Sequence, residues 1–199
     1  MKTRKIVDTR LVFKVSSMLV LLYGPSCVGK TSLIRSLNQK YNWPIIPTEM
    51  TRQLRPGETE KICITADAFE EKRATGYYIC ENYLYGNWYG TPLHYIILAQ
   101  QQADPYLLDM PIKTRYTIFA SIPHLGIAVL PESRMALESR INQSGRESRR
   151  QYILDEYDND YNPAKLSADA SLICIENRNG QLEQALLELA SHIVRSLEA

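Results

Sequence analysis

The chain has 199 residues, 23 Lys+Arg against 22 Asp+Glu, and a formal net charge of +1, with 45% hydrophobic and 23% charged residues. This is the profile of one soluble domain, and so even a balance of charge leaves no long-range field for nucleic acid or an acidic membrane; any anion site must be built from local groups. The longest uninterrupted apolar stretch, Met18 to Tyr23, is six residues, where a bilayer needs about 20.

The first seventeen residues carry Lys2, Arg4, Lys5, Asp8, Arg10 and Lys14 at intervals, which denies them the apolar middle of a signal peptide. They read as an N-terminal extension, and a cytoplasmic location is expected. Residues 18 to 23, MLVLLY, end at Gly24 and Pro25; a continuous apolar run predicts a strand buried on both faces. Leu33, Ile34 and Leu37 then recur at helical spacing until Asn42 and Pro44 stop the pattern. Further strand-like runs follow at 106 to 110, 125 to 130 and 171 to 175. Pro131 is expected in the first turn of a helix that carries Met135, Leu137 and Ile141. At the C-terminus Leu182, Ala185, Leu186, Leu189, Ile193 and Leu197 mark one face of an amphipathic helix. Strands alternating with helices predict an α/β three-layer domain around a parallel sheet. Cys27, Cys63, Cys80 and Cys174 form no C-x-x-C pair, so reduced thiols are expected rather than a zinc site or a disulfide framework.

Two polar stretches break the alternation. Residues 47 to 92 hold Arg52, Arg55 and Glu58 and then a tyrosine-rich segment with Gly76, Gly86 and Gly90, which predicts an irregular or antiparallel insertion. Residues 142 to 162 hold Arg146, Arg149 and Arg150, followed by Asp155, Glu156, Asp158 and Asp160. Each stretch is a candidate flap on a core made of 18–46, 93–141 and 163–199, all within a single domain.

Gly24-Pro25-Ser26-Cys27-Val28-Gly29-Lys30-Thr31 satisfies G-x-x-x-x-G-K-S/T between a predicted strand and a predicted helix. The glycines let the backbone curl so that its N–H groups and the helix N-terminus face phosphates, Lys30 reaches the terminal oxygens, and the Thr31 hydroxyl ligates Mg²⁺. A nucleoside-triphosphate site follows, with ATP and Mg²⁺ the expected cofactors. Asp109, at the end of the run beginning at 106, is the candidate second metal residue.

Joining two polyanions requires permanent, planar cations, which arginine supplies. Read alone, Arg52 and Arg55 are better explained as an exposed loop paired with Glu58 and Glu60; with the phosphate loop upstream they fit that need instead. Arg146, Arg149 and Arg150 fit a hinged lid that covers the transferring group or, alternatively, a solvated helix face. Thirteen tyrosines without net positive charge read as amphipathic surface and substrate contacts, not as a nucleic-acid platform.

In order and spacing, GPSCVGKT, then Thr48-Glu49-Met50-Thr51-Arg52-Gln53-Leu54-Arg55-Pro56-Gly57-Glu58, Gly86-Asn87-Trp88-Tyr89-Gly90-Thr91 and Leu107-Leu108-Asp109 resemble the guanylate kinases, from about residue 18 onward. The resemblance implies a three-layer P-loop kinase fold whose insertion at 47–92 binds the acceptor nucleoside monophosphate and whose lid spans 142–162. It implies ATP-dependent transfer to GMP, with Lys30, Arg52, Arg146, Arg149 and Arg150 as the catalytic set. It further implies that Arg52, Arg55 and Tyr89 grip the acceptor phosphate, with Glu58 beside them, that Thr48 and Thr91 face the base, and that Asn177 lies near the adenine. Glu81, one residue out of register, is the candidate guanine-reading acid. The sequence also departs from the family pattern: Lys61 or Ile62 stands where a tyrosine is usual, Pro111 replaces the second acid of L-D-x-D, and Ser144 takes the place of the first lid arginine. Kinases of ribose 1,5-bisphosphate and silent binding modules of the same fold are the alternatives. Small-molecule nucleotides are the expected partners, without nucleic acid or membrane, for a monomer or homodimer.

Overall fold

A computed structural model describes residues 18 to 198; the expected N-terminal extension lies outside the described residues. Eight strands and eight α-helices follow one another as β1 (Met18–Tyr23), α1 (Lys30–Tyr41), β2 (Thr48–Met50), β3 (Lys61–Cys63), α2 (Ala66–Ala74), β4 (Tyr78–Leu84), β5 (Asn87–Pro92), α3 (Leu93–Ala99), β6 (Pro105–Asp109), α4 (Lys113–Tyr116), β7 (Leu125–Leu130), α5 (Arg134–Gln143), α6 (Arg150–Asp160), α7 (Pro163–Leu166), β8 (Leu172–Glu176) and α8 (Leu182–Leu197). Among these residues no helix is long and apolar enough to cross a membrane, and all four cysteines are free.

The core sheet has the order β6-β1-β7-β8 with every pair parallel. Its middle strand β1 is buried on both faces because its pleat feeds two cores. Val20 and Leu22 pack with Leu33, Ile34 and Leu37 of α1 and with Leu186, Leu189 and Ile193 of α8. Leu19, Leu21 and Tyr23 pack against Ile96 and Ala99 of α3, Phe119 and Tyr161. These two apolar layers make the three-layer domain, and truncating any one of their fully buried leucines to alanine costs about 2–5 kcal/mol.

The strand order turns back at β1, whose neighbours β6 and β7 lie on either side of it; the crevice at the carboxyl ends of such strands is where an open α/β sheet takes ligands. Gly24, following β1, has φ +151°, and a Cβ there would meet Val129 O at 2.5 Å, so only glycine lets the loop pass the end of β7. Helix α1 starts at Lys30 directly after this loop and ends at Asn42, whose left-handed backbone sends its N–H to Asn38 O at 2.8 Å.

Two expectations change. Pro131 precedes rather than opens α5, which begins at Arg134 because the Ser133 hydroxyl accepts the Ala136 N–H at 3.1 Å. The stretch 47–92 is neither irregular nor purely antiparallel. It is a mixed sheet in the order β3-β2-β5-β4, with β2–β3 parallel and the other pairs antiparallel, and α2 packs Phe69 against Tyr78 and Trp88. Residues 142–162 are mostly helical, with a 3₁₀ turn at Glu147–Arg149 leading into α6. Leu137 and Ile141 of α5 meet Ile153 and Leu154 of α6 in a separate small core.

Candidate active site

A cavity of about 740 Å³ opens between the loop after β1, the insertion sheet and the segment carrying α6. On its floor the loop runs from Gly24 to Gly29 with Cys27 and Gly29 at positive φ. Asn177 Nδ2 donates to Val28 O at 2.8 Å, and an Arg140 guanidinium N–H donates to the same oxygen at 3.1 Å. Both groups hold the Val28 carbonyl and so fix the loop. Lys30 Nζ donates to Gly24 O at 2.6 Å and Pro25 O at 3.0 Å. Burial lowers this ammonium, while Asp109 and Glu156 work in the opposite direction. Glu156 lines the same cavity, where burial raises its carboxyl against the opposing pull of Lys30.

The opposite wall carries the arginines. Arg52 forms a bidentate pair with Glu58, at 2.6 and 2.7 Å, and its Nε donates to Tyr89 OH at 3.2 Å. The Arg55 backbone N–H donates to Glu58 Oε2 at 2.8 Å. Burial alone would raise the Glu58 carboxyl, but the Arg52 hydrogen bonds, the Arg55 N–H and both positive charges bring it down to about 2. Arg55 keeps a half-exposed guanidinium that is lowered first by burial and then by Arg146 and Arg52. Cations from the insertion and from the lid side therefore converge on one volume, which a polyanion would neutralise.

Between the two walls, Asp109 ends β6. Burial would raise its carboxyl, yet Lys61 and Lys30 hold it below the usual range. Lys61 Nζ is 3.0 Å from Asp109 Oδ1 and 3.4 Å from Thr48 Oγ1. On the lid side, Arg146 donates to Cys27 Sγ at 3.4 Å, and Ser144 Oγ lies 3.4 Å from the same sulfur.

Most of the residues singled out in the sequence meet here: Gly24, Ser26, Cys27, Gly29, Lys30, Thr31, Thr48, Arg52, Arg55, Glu58, Tyr89, Thr91, Asp109, Arg146 and Arg149 all line this cavity. Pro25 and Val28 form the buried underside of the loop. Like these two, three further residues do not line it. Glu81 lies on the other face of β4, where it takes the Arg73 Nε–H at 2.7 Å, because the strand's alternation gives the cavity Asn82 and Leu84 instead. Arg150 turns away to Glu138 and Asn142, at 2.8 and 2.7 Å. Asn177 is buried beneath the loop. Conversely Lys61, Asn82, Tyr85, Arg140, Tyr152 and Glu156 line the cavity without having been singled out as functional. Their placement depends on the pairing of β2 with β3 and of β4 with β5 and on how α5 and α6 pack, which no local pattern in the sequence encodes.

Among the described residues no group of three or more His, Cys, Asp or Glu side chains is arranged to hold a metal ion by itself. A threonine next to the loop lysine and a strand-end aspartate that line the same cavity are a donor set that fits a divalent ion carried on a nucleotide's phosphates.

A glycine-rich loop between a parallel strand and a helix, facing an arginine-lined wall across one cavity bordered by the segments 47–92 and 142–162, defines a P-loop nucleoside monophosphate kinase architecture. No family model matches the chain. It is 36% identical over 140 residues to a guanylate kinase of Trichormus variabilis, a match that covers 67% of this chain and 69% of that one. It is 31% identical over 142 residues to a guanylate kinase of Symbiobacterium thermophilum, covering 68% and 66%. The crystal structure of guanylate kinase from Anaplasma phagocytophilum superposes with a TM-score of 0.66 at 19% identity, covering 92% of this chain and 87% of that one. The chain belongs to the guanylate kinase family.

Proposed function

We propose that the protein transfers the γ-phosphoryl group of ATP to the phosphate of GMP. The convergence of Arg52, Arg55, Arg146 and Arg149 opposite the Lys30 loop carries this reading, since a lone triphosphate would need only one of the two walls. The loop amides and Lys30 hold the donor phosphates, with Lys30 exchanging its contacts to Gly24 O and Pro25 O for phosphate oxygens. Mg²⁺, held by the Thr31 hydroxyl and through water by Asp109, would neutralise charge across those phosphates. Arg52, Arg55 and Tyr89 grip the acceptor phosphate, and Glu58 fixes both arginines in the geometry the acceptor needs. Thr48 and Thr91 present hydroxyls toward the base. Arg146 and Arg149 close over the group in flight, exclude water and balance the charge that spreads over its oxygens. The segments 47–92 and 142–162 act as the acceptor-binding insertion and the lid of a single domain. A cytoplasmic location goes with this reading, because ATP is the donor.

Catalysis on this reading is positional and electrostatic, with no side-chain nucleophile. The test is ADP release from Mg-ATP in separate reactions with GMP, dGMP, AMP, CMP, UMP and ribose 1,5-bisphosphate. Release with GMP far above the others is the expected result; release only with another acceptor, or with none, overturns the proposal.

A further inference from the structure

Three parts of the chain that must come together for transfer meet at one side chain. Tyr85 stands at the tip of the β4–β5 hairpin, in a two-residue turn completed by Gly86. Both have positive φ, +54° and +77°, as the tight hairpin turns that match strand twist require. Asparagine or glycine sits at such a position without strain, and tyrosine does not. A strained backbone at a site is retained when the side chain it aims is needed.

What that side chain touches supplies the need. The Tyr85 ring lies under the Arg149 guanidinium, 4.2 Å from its centroid, and meets Tyr152 of α6 edge-on with centroids 4.9 Å apart. Its hydroxyl is 3.5 Å from Ser26 Oγ in the phosphate loop. Hairpin, lid and donor loop are thus joined through one residue that lines the cavity itself. Burial pushes the phenol up to about 12, so the ring stays neutral and its face stays available to the cation.

The geometry points to Tyr85 as a positioning residue that docks the acceptor-binding insertion onto the lid and seats Arg149 over the transfer centre. This rests on the kinase reading above. A guanidinium on a flexible stem adopts many rotamers, and stacking on a ring fixed by a turn removes most of them before substrate arrives. Tyr152 buttresses the ring from the α6 side, so the contact ties the hairpin to the lid segment. The benefit therefore falls on the transfer step rather than on the binding of either nucleotide alone.

The experiment measures kcat and both KM values for wild type, Tyr85→Phe, Tyr85→Gly, Arg149→Ala and the Tyr85→Gly/Arg149→Ala pair, with melting temperatures and amide exchange over 144–152 in the unliganded protein. Glycine accepts the positive φ, so Tyr85→Gly is expected to keep its melting temperature while kcat falls about tenfold or more and each KM moves less than about threefold. Tyr85→Phe keeps the ring and should retain at least about half of kcat. The paired variant should be no slower than Arg149→Ala by more than about twofold, since the two side chains act as one unit. Unchanged kcat in Tyr85→Gly, equal losses in Phe and Gly, or additive losses in the pair would each overturn the inference. Should wild type fail to phosphorylate GMP, the kinase reading fails, and amide exchange decides this contact separately. Exchange over 144–152 that is faster in Tyr85→Gly sustains it, and identical exchange removes it.

Discussion

The ammonium of Lys61 bridges the insertion and the core sheet, 3.0 Å from Asp109 Oδ1 and 3.4 Å from Thr48 Oγ1. Its side chain is only 12% exposed, so the pair is screened far less than a surface ion pair. Lys61 thus adds a second cation beside Asp109, which Lys30 also influences, and on the proposed reading it serves the acceptor. Lys61→Met should raise the acceptor KM about tenfold while the KM for ATP stays within about threefold, the scale of one charge-assisted hydrogen bond. Steady-state kinetics with each substrate varied in turn measures this, and equal changes in both KM values would exclude an acceptor-side role.

Lys30 supplies an ammonium that contacts two loop carbonyls. Lys30→Ala should lower turnover by at least about 100-fold, the scale of losing one preorganised donor. Circular dichroism should remain that of wild type, because α1 begins on the backbone geometry of Gly29 and not on the lysine side chain. A folded variant that keeps wild-type turnover would remove Lys30 from the mechanism.

Arg52 lines the cavity, is tied to Glu58 and Tyr89, and on the proposed reading grips the acceptor. Arg52→Ala should therefore weaken use of the acceptor by about 10- to 100-fold and leave ATP affinity, read by calorimetry, nearly unchanged. Arg52→Lys should recover little of the loss, since a single ammonium cannot reproduce the fork to Glu58. Parallel losses for donor and acceptor would contradict this assignment.

Glu58 gives a pH signature. Its carboxyl titrates at about 2 in the folded chain against an ordinary 4.5, so the unfolded chain binds the proton more readily. The stabilisation is present above about pH 4.5 and is lost as pH falls toward about 2. Glu58→Gln should be less stable than wild type in urea near neutral pH, and the gap should shrink below 4.5 and close near 2. A gap that does not change with pH would mean that the carboxylate's charge is not what Arg52 and Arg55 read.

Much of this molecule is legible in the chain before any coordinates. The run from Met18 to Tyr23 reads as a central strand because a strand buried on both faces must be apolar at every position, and β1 is. The phosphate loop is equally local: Gly24, Gly29 and Lys30 follow from backbone and phosphate chemistry within eight residues. Leu182 to Leu197 forms a single helix because its apolar positions share one face.

Glu81 marks where reading a sequence stops. A shift of one residue along a strand exchanges its faces, and β4 turns Glu81 to Arg73 while giving the cavity Asn82. Only the pairing of β4 with β5 fixes that register. Arg150 sits beside Arg149 in sequence, yet the 3₁₀ turn before α6 sends one to Glu138 and the other over Tyr85. The chain by itself determined the phosphate loop and the buried strands, because each rests on interactions among near neighbours. Tertiary structure alone decided that Lys61 reaches Asp109, 48 residues away, and that Tyr85 reaches Ser26, 59 residues away. Such contacts depend on how separate elements dock, and docking is set by the packing of whole faces rather than by any short pattern of residues.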